Sequence, residues 1–224
     1  MRSAGNDIVA LKAVDQQRTH HPRFYSKILS EAEHALYHRQ LTTEMLFENF
    51  VWLLWSVKES VYKYLKRTEP DLIFSPTKII IHTIDSPGPG AGALADPGQA
   101  SYTGTACFGP HSFYFQSRMH PEYIAAVVND KDDFENIWWG IRSIDYPDYD
   151  HQSIAVRTFA LDQLHSLLAG GMDRKDLHIK KNPQGCPIVY NGTREIKVPL
   201  SLAHHDHYIS WCFYFNRDGR SVIS

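Results

Sequence analysis

Cysteine is scarce in this chain of 224 residues. There are three, Cys107, Cys186 and Cys212, an odd number with no C-x-x-C spacing. That supports neither a disulfide framework nor a cysteine-built zinc site, and it fits a reducing compartment. Long apolar runs are also missing. The longest, Phe50–Trp55, is soon cut by Lys58 and Glu59, far short of the roughly 20 residues a spanning helix needs. The opening Met1–Asp7 puts a carboxylate where a secretory signal would hold its apolar core. A cytoplasmic protein with no membrane partner is therefore expected. Neither sign of charge dominates. Lys and Arg total 23 against 25 Asp and Glu, a net charge of −2. A strongly basic nucleic-acid binder is thus excluded, although a local basic patch is not. Thirteen histidines are present, which makes the net charge sensitive to mild acid. With 43% hydrophobic and 21% charged residues, the balance is globular, for one large domain or two small ones.

Local patterns predict alternating blocks of helix and strand. Ile8–Leu11 reads as a strand with Asp7 at its edge. Ser30 followed by Glu33 is a capping box that opens a helix over 30–38. A longer helix is predicted from about Thr42 or Thr43 to Arg67, because apolar residues recur at helical spacing through 46, 47, 50, 53, 54, 57, 61 and 65, and Pro70 follows. Strands are predicted at 78–82, 100–108, 111–118, 122–129 and 134–145. The Pro- and Gly-rich stretch 86–98 reads as a mobile loop. A helix over 155–168, ended by Gly170–Gly171, precedes strands at 176–181, 186–190, 197–203 and 207–215. Segregated blocks of this kind point to an α+β fold.

The chain also resembles itself. Val57–Leu65 matches Val156–Leu164 in apolar pattern, and Gln116–Ile124 matches Ser201–Ile209, with Tyr-Ile leading a strand in each. Gly5 and Gly140 read as equivalent strand starts. Two similar α+β halves, 1–130 and 131–224, would then form a pseudo-dimer within one monomeric chain. The halves differ chemically. Where the first helix has Lys58, Glu59 and Lys63, the second has Arg157, Thr158 and Gln163 or Asp162, and Met119 stands where the second half has His204.

Taken singly, the polar residues are ordinary. Glu59 and Lys63, four apart on one helix, would form an exposed ion pair worth a few tenths of a kcal/mol, with Lys58 a solvated neighbour. Asp7 reads as a turn or cap residue. His204-His205-Asp206-His207 invites a zinc reading, but adjacent residues point different ways and the spacing is wrong for a three-histidine site.

Taken in order, they form a pattern. Gly5-Asn-Asp7-Ile-Val9, Arg23-Phe-Tyr-Ser-Lys-Ile-Leu-Ser-Glu-Ala-Glu33, Trp55-Ser-Val-Lys-Glu-Ser-Val-Tyr-Lys63, Gly185-Cys-Pro187 and Pro199–His204 resemble the G-x-D-I-V, R-F-x-x-R-I-L-T-x-x-E, W-x-x-K-E-A/S-x-x-K, G-K-P and S-x-S-H motifs of the 4′-phosphopantetheinyl transferase superfamily. The order is that of the short holo-acyl-carrier-protein synthases, while the length and duplication resemble the larger pseudo-dimeric branch. Cys186 replaces the lysine of G-K-P, Ala203 replaces the second serine of S-x-S-H, and Val9 stands where many larger members have a third acidic ligand.

The resemblance implies Mg²⁺-dependent transfer of 4′-phosphopantetheine from coenzyme A to a serine of an apo acyl carrier protein, releasing 3′,5′-ADP. It implies Asp7 and Glu59 as metal ligands. It gives Lys63 a catalytic place beside them and makes Lys58, Lys63, Ser201 and His204 candidates to bind coenzyme A. Arg23, Phe24 and Lys12 are candidate carrier contacts. The substitutions leave a second expectation, a catalytically silent relative that binds coenzyme A or a carrier domain.

Overall fold

A computed structural model describes residues 3–86, 99–168 and 172–215. Strand β1 (Gly5–Ala10) is followed by two one-turn helices, α1 (Gln16–Thr19) and α2 (Pro22–Tyr25), then by α3 (Glu31–Leu36) and the long α4 (Phe47–Lys66). Strands β2 (Ile80–Asp85), β3 (Ala100–Phe108), β4 (His111–Met119) and β5 (Tyr123–Asn129) complete a five-stranded antiparallel sheet in the order β1-β5-β4-β3-β2. After β6 (Ile137–Ser143) and α5 (Tyr149–Leu167) come β7 (Leu177–Lys181), β8 (Pro187–Asn191), β9 (Arg194–Ile196), β10 (Leu200–His205) and β11 (Tyr208–Tyr214). These form two three-stranded sheets, β10-β11-β6 and β7-β8-β9. Helices thus cover antiparallel sheets, the α+β arrangement expected.

The capping box is present as read. Ser30 accepts from the Glu33 backbone N–H, and Glu33 accepts from the Ser30 backbone N–H. A π turn over Tyr37–Leu41 extends that helix. Helix α4 starts later than expected, with Leu46 at its N-cap and no side-chain cap, so neither Thr42 nor Thr43 opens it. Helix α5 starts earlier, at Tyr149, because Asp148 accepts from the His151 N–H. Strand β9 and helices α1 and α2 are too short to leave a periodic signal. The expected loop over 86–98 lies almost wholly outside the described residues, and the stop at Gly170–Gly171 lies outside them entirely.

One face of α4 buries Phe50, Leu53, Leu54, Val57 and Val61 against the five-stranded sheet. A second core gathers Leu161 and Leu164 of α5 with Leu200, Trp211 and Phe213. Between them, Ile8, Ala125 and Ala203 pack together. Strand β1 is therefore buried on both faces, which explains its unbroken apolar run after Asp7.

The two strand triplets β1-β5-β4 and β6-β11-β10 share one order and antiparallel sense. The register corrects the expected alignment. Met119 pairs with Ile124 as His204 pairs with Ile209, in keeping with the Tyr-Ile match. Yet Val9 pairs with Ile124, and it is Arg142 that pairs with Ile209. Asp7 therefore corresponds to Gly140, and Gly5 to Trp138. The two glycines exist for different reasons. A Cβ on Gly140 would lie 2.4 Å from the Trp211 ring, and one on Gly5 would lie 2.1 Å from the Ser60 carbonyl oxygen.

Candidate active site

Alternation along β1 decides what each residue faces. Gly5 and Asp7 share the face turned to α4. Without a side chain, Gly5 lets the strand backbone close on Ser60. That approach brings the Asp7 carboxylate to α4, where Lys63 Nζ donates to Asp7 Oδ1 at 2.9 Å and lies 3.3 Å from Glu59 Oε1. Asn6 faces the other way. Its N–H donates to Ser201 Oγ at 3.2 Å and its Nδ2 donates to Ser210 Oγ at 2.8 Å. The same strand thus holds the carboxylate and ties the two sheets together.

The cluster is electrostatically unusual. Burial pushes Asp7 up to about 7, against the lowering pull of Lys63, and the Glu59 carboxylate adds to the rise. Burial also opposes the Lys63 ammonium, but Asp7 and Glu59 outweigh it and raise Lys63 to about 12. Asp7 Oδ2 is buried with no hydrogen-bond partner, a costly state for a carboxylate oxygen. Two hard oxygen donors, one of them unsatisfied, suit a hydrated divalent cation. Among the described residues no group of three or more His, Cys, Asp or Glu side chains is arranged to hold a metal, so such an ion would keep several waters.

Two cavities meet at this cluster. Asp7 and Glu59 line one of about 470 Å³, walled by Trp52 and Trp55. Lys63 lines the other, of about 240 Å³, together with Lys66, Arg67, Arg157 and Lys181. His204 lines both. Five cationic side chains gather here in a chain of net charge −2, a lining whose charge suits an anion. Its neighbour offers paired carboxylates, so a phosphate-bearing ligand and a divalent cation can sit side by side.

A protein-family model, that of the 4′-phosphopantetheinyl transferase superfamily, matches residues 3–128, more than half of the chain. The chain belongs to the 4′-phosphopantetheinyl transferase superfamily. Phosphopantetheine transfer is the activity that membership supports in general terms. No curated protein and no solved structure matches the chain. The match covers β1 through nearly all of β5 and so includes Asp7, Glu59 and Lys63.

Of the residues expected at a transferase site, Asp7, Glu59, Lys63, Ser201 and His204 line the two cavities. Ser201 is nearly buried and already accepts from Asn6. Lys58 does not belong with them. Its ammonium is fully buried, donating to the Ile28 carbonyl and to Glu33 Oε2, each at 2.7 Å. The reason is angular, since residue 58 turns into the core from the face that residues 59 and 63 share. Lys58 is therefore a core ion pair, neither solvated nor open to phosphate. Lys12 is spent on Glu122 at 2.5 Å, and Arg23 is exposed on α2. Phe24 lines the carboxylate cavity, between the Arg18 guanidinium and Trp52.

The histidine run does not form a metal site. His205 Nδ1 accepts from the Ala10 N–H at 3.0 Å, His207 Nδ1 lies 2.9 Å from the Ile144 carbonyl, and His204 turns to Gln152. Several cavity residues carried no motif. Lys66 and Arg67 sit three and four positions after Lys63, a helical spacing that could have flagged them. Arg157 and Lys181 gave no such signal, and neither did Gln152, which lies outside the cavity walls as the partner of His204. Arg67 crosses between the sheets, donating to the Pro187 carbonyl at 3.0 Å and to that of Leu200. It stands beside Cys186 and so brings a cation to the turn where the family pattern has lysine.

Proposed function

We propose that this chain transfers the 4′-phosphopantetheine group of coenzyme A to a serine hydroxyl of an apo acyl or peptidyl carrier protein, with Mg²⁺, releasing 3′,5′-ADP. The observation that carries the reading is the junction at Lys63, where paired carboxylates open to one cavity and a cluster of cations opens to the other. The reaction is displacement at phosphorus, which depends on positioning and charge neutralisation. Asp7 and Glu59 would hold the metal, which when bound neutralises pyrophosphate charge. Lys63, Lys66, Arg157 and Lys181 bind the phosphates and orient the scissile bond, and Lys63 also steadies the leaving oxygen. Ser201 and His204 complete the wall against which coenzyme A lies. The aromatic wall of the other cavity admits the carrier serine, with Phe24 and Arg23 on the carrier side.

We further read the chain as an internal duplication, with halves 1–130 and 131–224 forming a monomeric pseudo-dimer that has one site. The shared strand order supports this. A second site is lacking because Gly140, Thr158 and Asp162 stand where the first half has Asp7, Glu59 and Lys63. Cys186 and Ala203 favour the alternative, a silent binder of coenzyme A. Calorimetric titration with coenzyme A, paired with intact-mass analysis of several apo carriers, separates the two. Binding with a phosphopantetheine mass gain supports the transferase. Binding without gain on any carrier supports the silent reading.

A further inference from the structure

Gln152, in the first turn of α5, is almost fully buried and meets His204, a residue that both cavities share. Its Nε2 donates to the Pro147 carbonyl at 2.7 Å and to the Asp206 carbonyl at 2.9 Å. Both partners can only accept, so they fix which end of the amide is nitrogen. The oxygen, Oε1, must then face His204 Nδ1, 2.5 Å away. An amide oxygen can only accept, so Nδ1 carries the proton. The remaining nitrogen of a neutral His204, Nε2, is left as a bare acceptor on a side chain that lines both cavities.

The surroundings hold the ring neutral. Burial lowers the pKa of His204, and Lys63 of α4, Lys181 of β7, Arg157 of α5 and His205 on its own strand act the same way. Asp7 and Glu59 face it across the carboxylate cavity, and the Tyr149 ring stands edge-on at 5.5 Å. A neutral imidazole whose one N–H is spent has nothing to donate to a phosphate oxygen. It can accept from a hydroxyl. The turn that supplies the Asp206 carbonyl is itself held in a specific shape, with Asp206 at a φ of 50°.

We infer that Gln152 is a positioning residue that fixes the proton of His204 on Nδ1, so that His204 Nε2 accepts the proton of the incoming serine hydroxyl. This rests on the transferase reading above. As the serine Oγ–P bond forms, the Oγ–H bond breaks and its proton passes to Nε2. The P–O bond to 3′,5′-ADP breaks with its electron pair kept by the leaving oxygen. The imidazolium then returns the proton to solvent.

The test uses the full-length ¹⁵N-labelled chain. Two-bond ¹H–¹⁵N correlations report which imidazole nitrogen is protonated, and His204→Gln assigns the signal. The wild type at mildly alkaline pH is expected to show His204 protonated on Nδ1 alone, and Gln152→Leu to shift the proton toward Nε2. A wild-type proton on Nε2, or an unchanged pattern in Gln152→Leu, overturns the assignment. In the transfer assay Gln152→Leu lowers kcat about tenfold or more, as loss of a ligand-orienting partner does elsewhere, while the KM for coenzyme A stays within about twofold. His204→Gln lowers kcat roughly 10²-fold, as loss of a general base does, and carries the kinetic arm if Gln152→Leu does not fold. A raised KM at unchanged kcat overturns the proposal and returns His204 to phosphate binding. If the wild type transfers to no carrier, the transfer reading fails. The imidazole spectrum of the same sample still decides whether Gln152 sets the tautomer.

Discussion

Two neighbours on α4, Lys58 and Glu59, should fail in opposite ways when mutated. Lys58 and Glu33 form an ion pair with no exposed side-chain surface on either partner. Burial lowers the pKa of Lys58 and the Glu33 carboxylate pulls it back up. Glu33 is tied further, because its other oxygen accepts from the Ile81 N–H at 2.8 Å while Oε2 closes the capping box. Removing only Lys58 strands a carboxylate in the core, which costs about 3–5 kcal/mol. For a chain of this length that is a fall in Tm of roughly 6–20 °C. Neutralising the partner relieves the stranded charge, so Lys58→Met/Glu33→Gln should recover at least half of the loss. The assay is urea unfolding followed by circular dichroism, with ΔG taken from the midpoint and slope. Glu59→Gln, whose i,i+4 contact with Lys63 is about a quarter exposed on each side, should shift stability by only a few tenths of a kcal/mol. A cost below about 1 kcal/mol for Lys58→Met, or a double variant no more stable than the single, would refute the assignment of Lys58 to the core.

Other expectations follow from the same geometry. Glu59→Gln should abolish phosphopantetheine transfer with the fold intact, and an unfolded variant by circular dichroism would count against a site role for Glu59. Asp7 sits at about 7 in the fold against an ordinary 3.8, so divalent-ion affinity measured by calorimetry should climb as pH rises through 7. The raised carboxyl has a second consequence for the metal-free fold. Its contribution to stability is full below about pH 4 and is lost as pH rises toward 7, so Asp7→Asn should flatten the Tm profile in that window. Gly5→Ala drives a Cβ into the Ser60 carbonyl and should cost about 1–3 kcal/mol, with weakened metal binding as β1 moves off α4. Arg67→Met removes charged hydrogen bonds to two carbonyls of the second half and should cost about 1.5–3 kcal/mol in urea unfolding, with weaker coenzyme A binding.

Much of the site was legible because its parts are local. The i,i+4 spacing of Glu59 and Lys63 sets them on one helix face, and the Gly5–Val9 stretch with its apolar run reads as a strand that carries Asp7. What could not be read was depth. Lys58 looks solvated in a linear reading, and only the packing of α3 and β2 on α4 shows that Glu33 waits beneath it. The cations of the second cavity escaped for a related reason. Arg157 and Lys181 lie on α5 and β7, far along the chain from Lys63 on α4, and no spacing rule joins them to it. The matching apolar patterns of the two strand triplets were visible, but the strand register was not. A two-residue slip between Gly5 and Gly140 is invisible until hydrogen-bonded partners fix the pairing. Helix α5 began earlier than expected because its cap, Asp148, precedes the apolar stretch by about two turns.

The central claim is most directly tested by weighing a carrier protein. Purified chain is mixed with an apo acyl carrier protein, coenzyme A and Mg²⁺, and the carrier's intact mass is followed by mass spectrometry. The account predicts a gain of one phosphopantetheine group, absent with EDTA and absent with Glu59→Gln. An unchanged carrier mass across fatty-acid, polyketide and nonribosomal-peptide carriers, with folded wild-type protein, would contradict it.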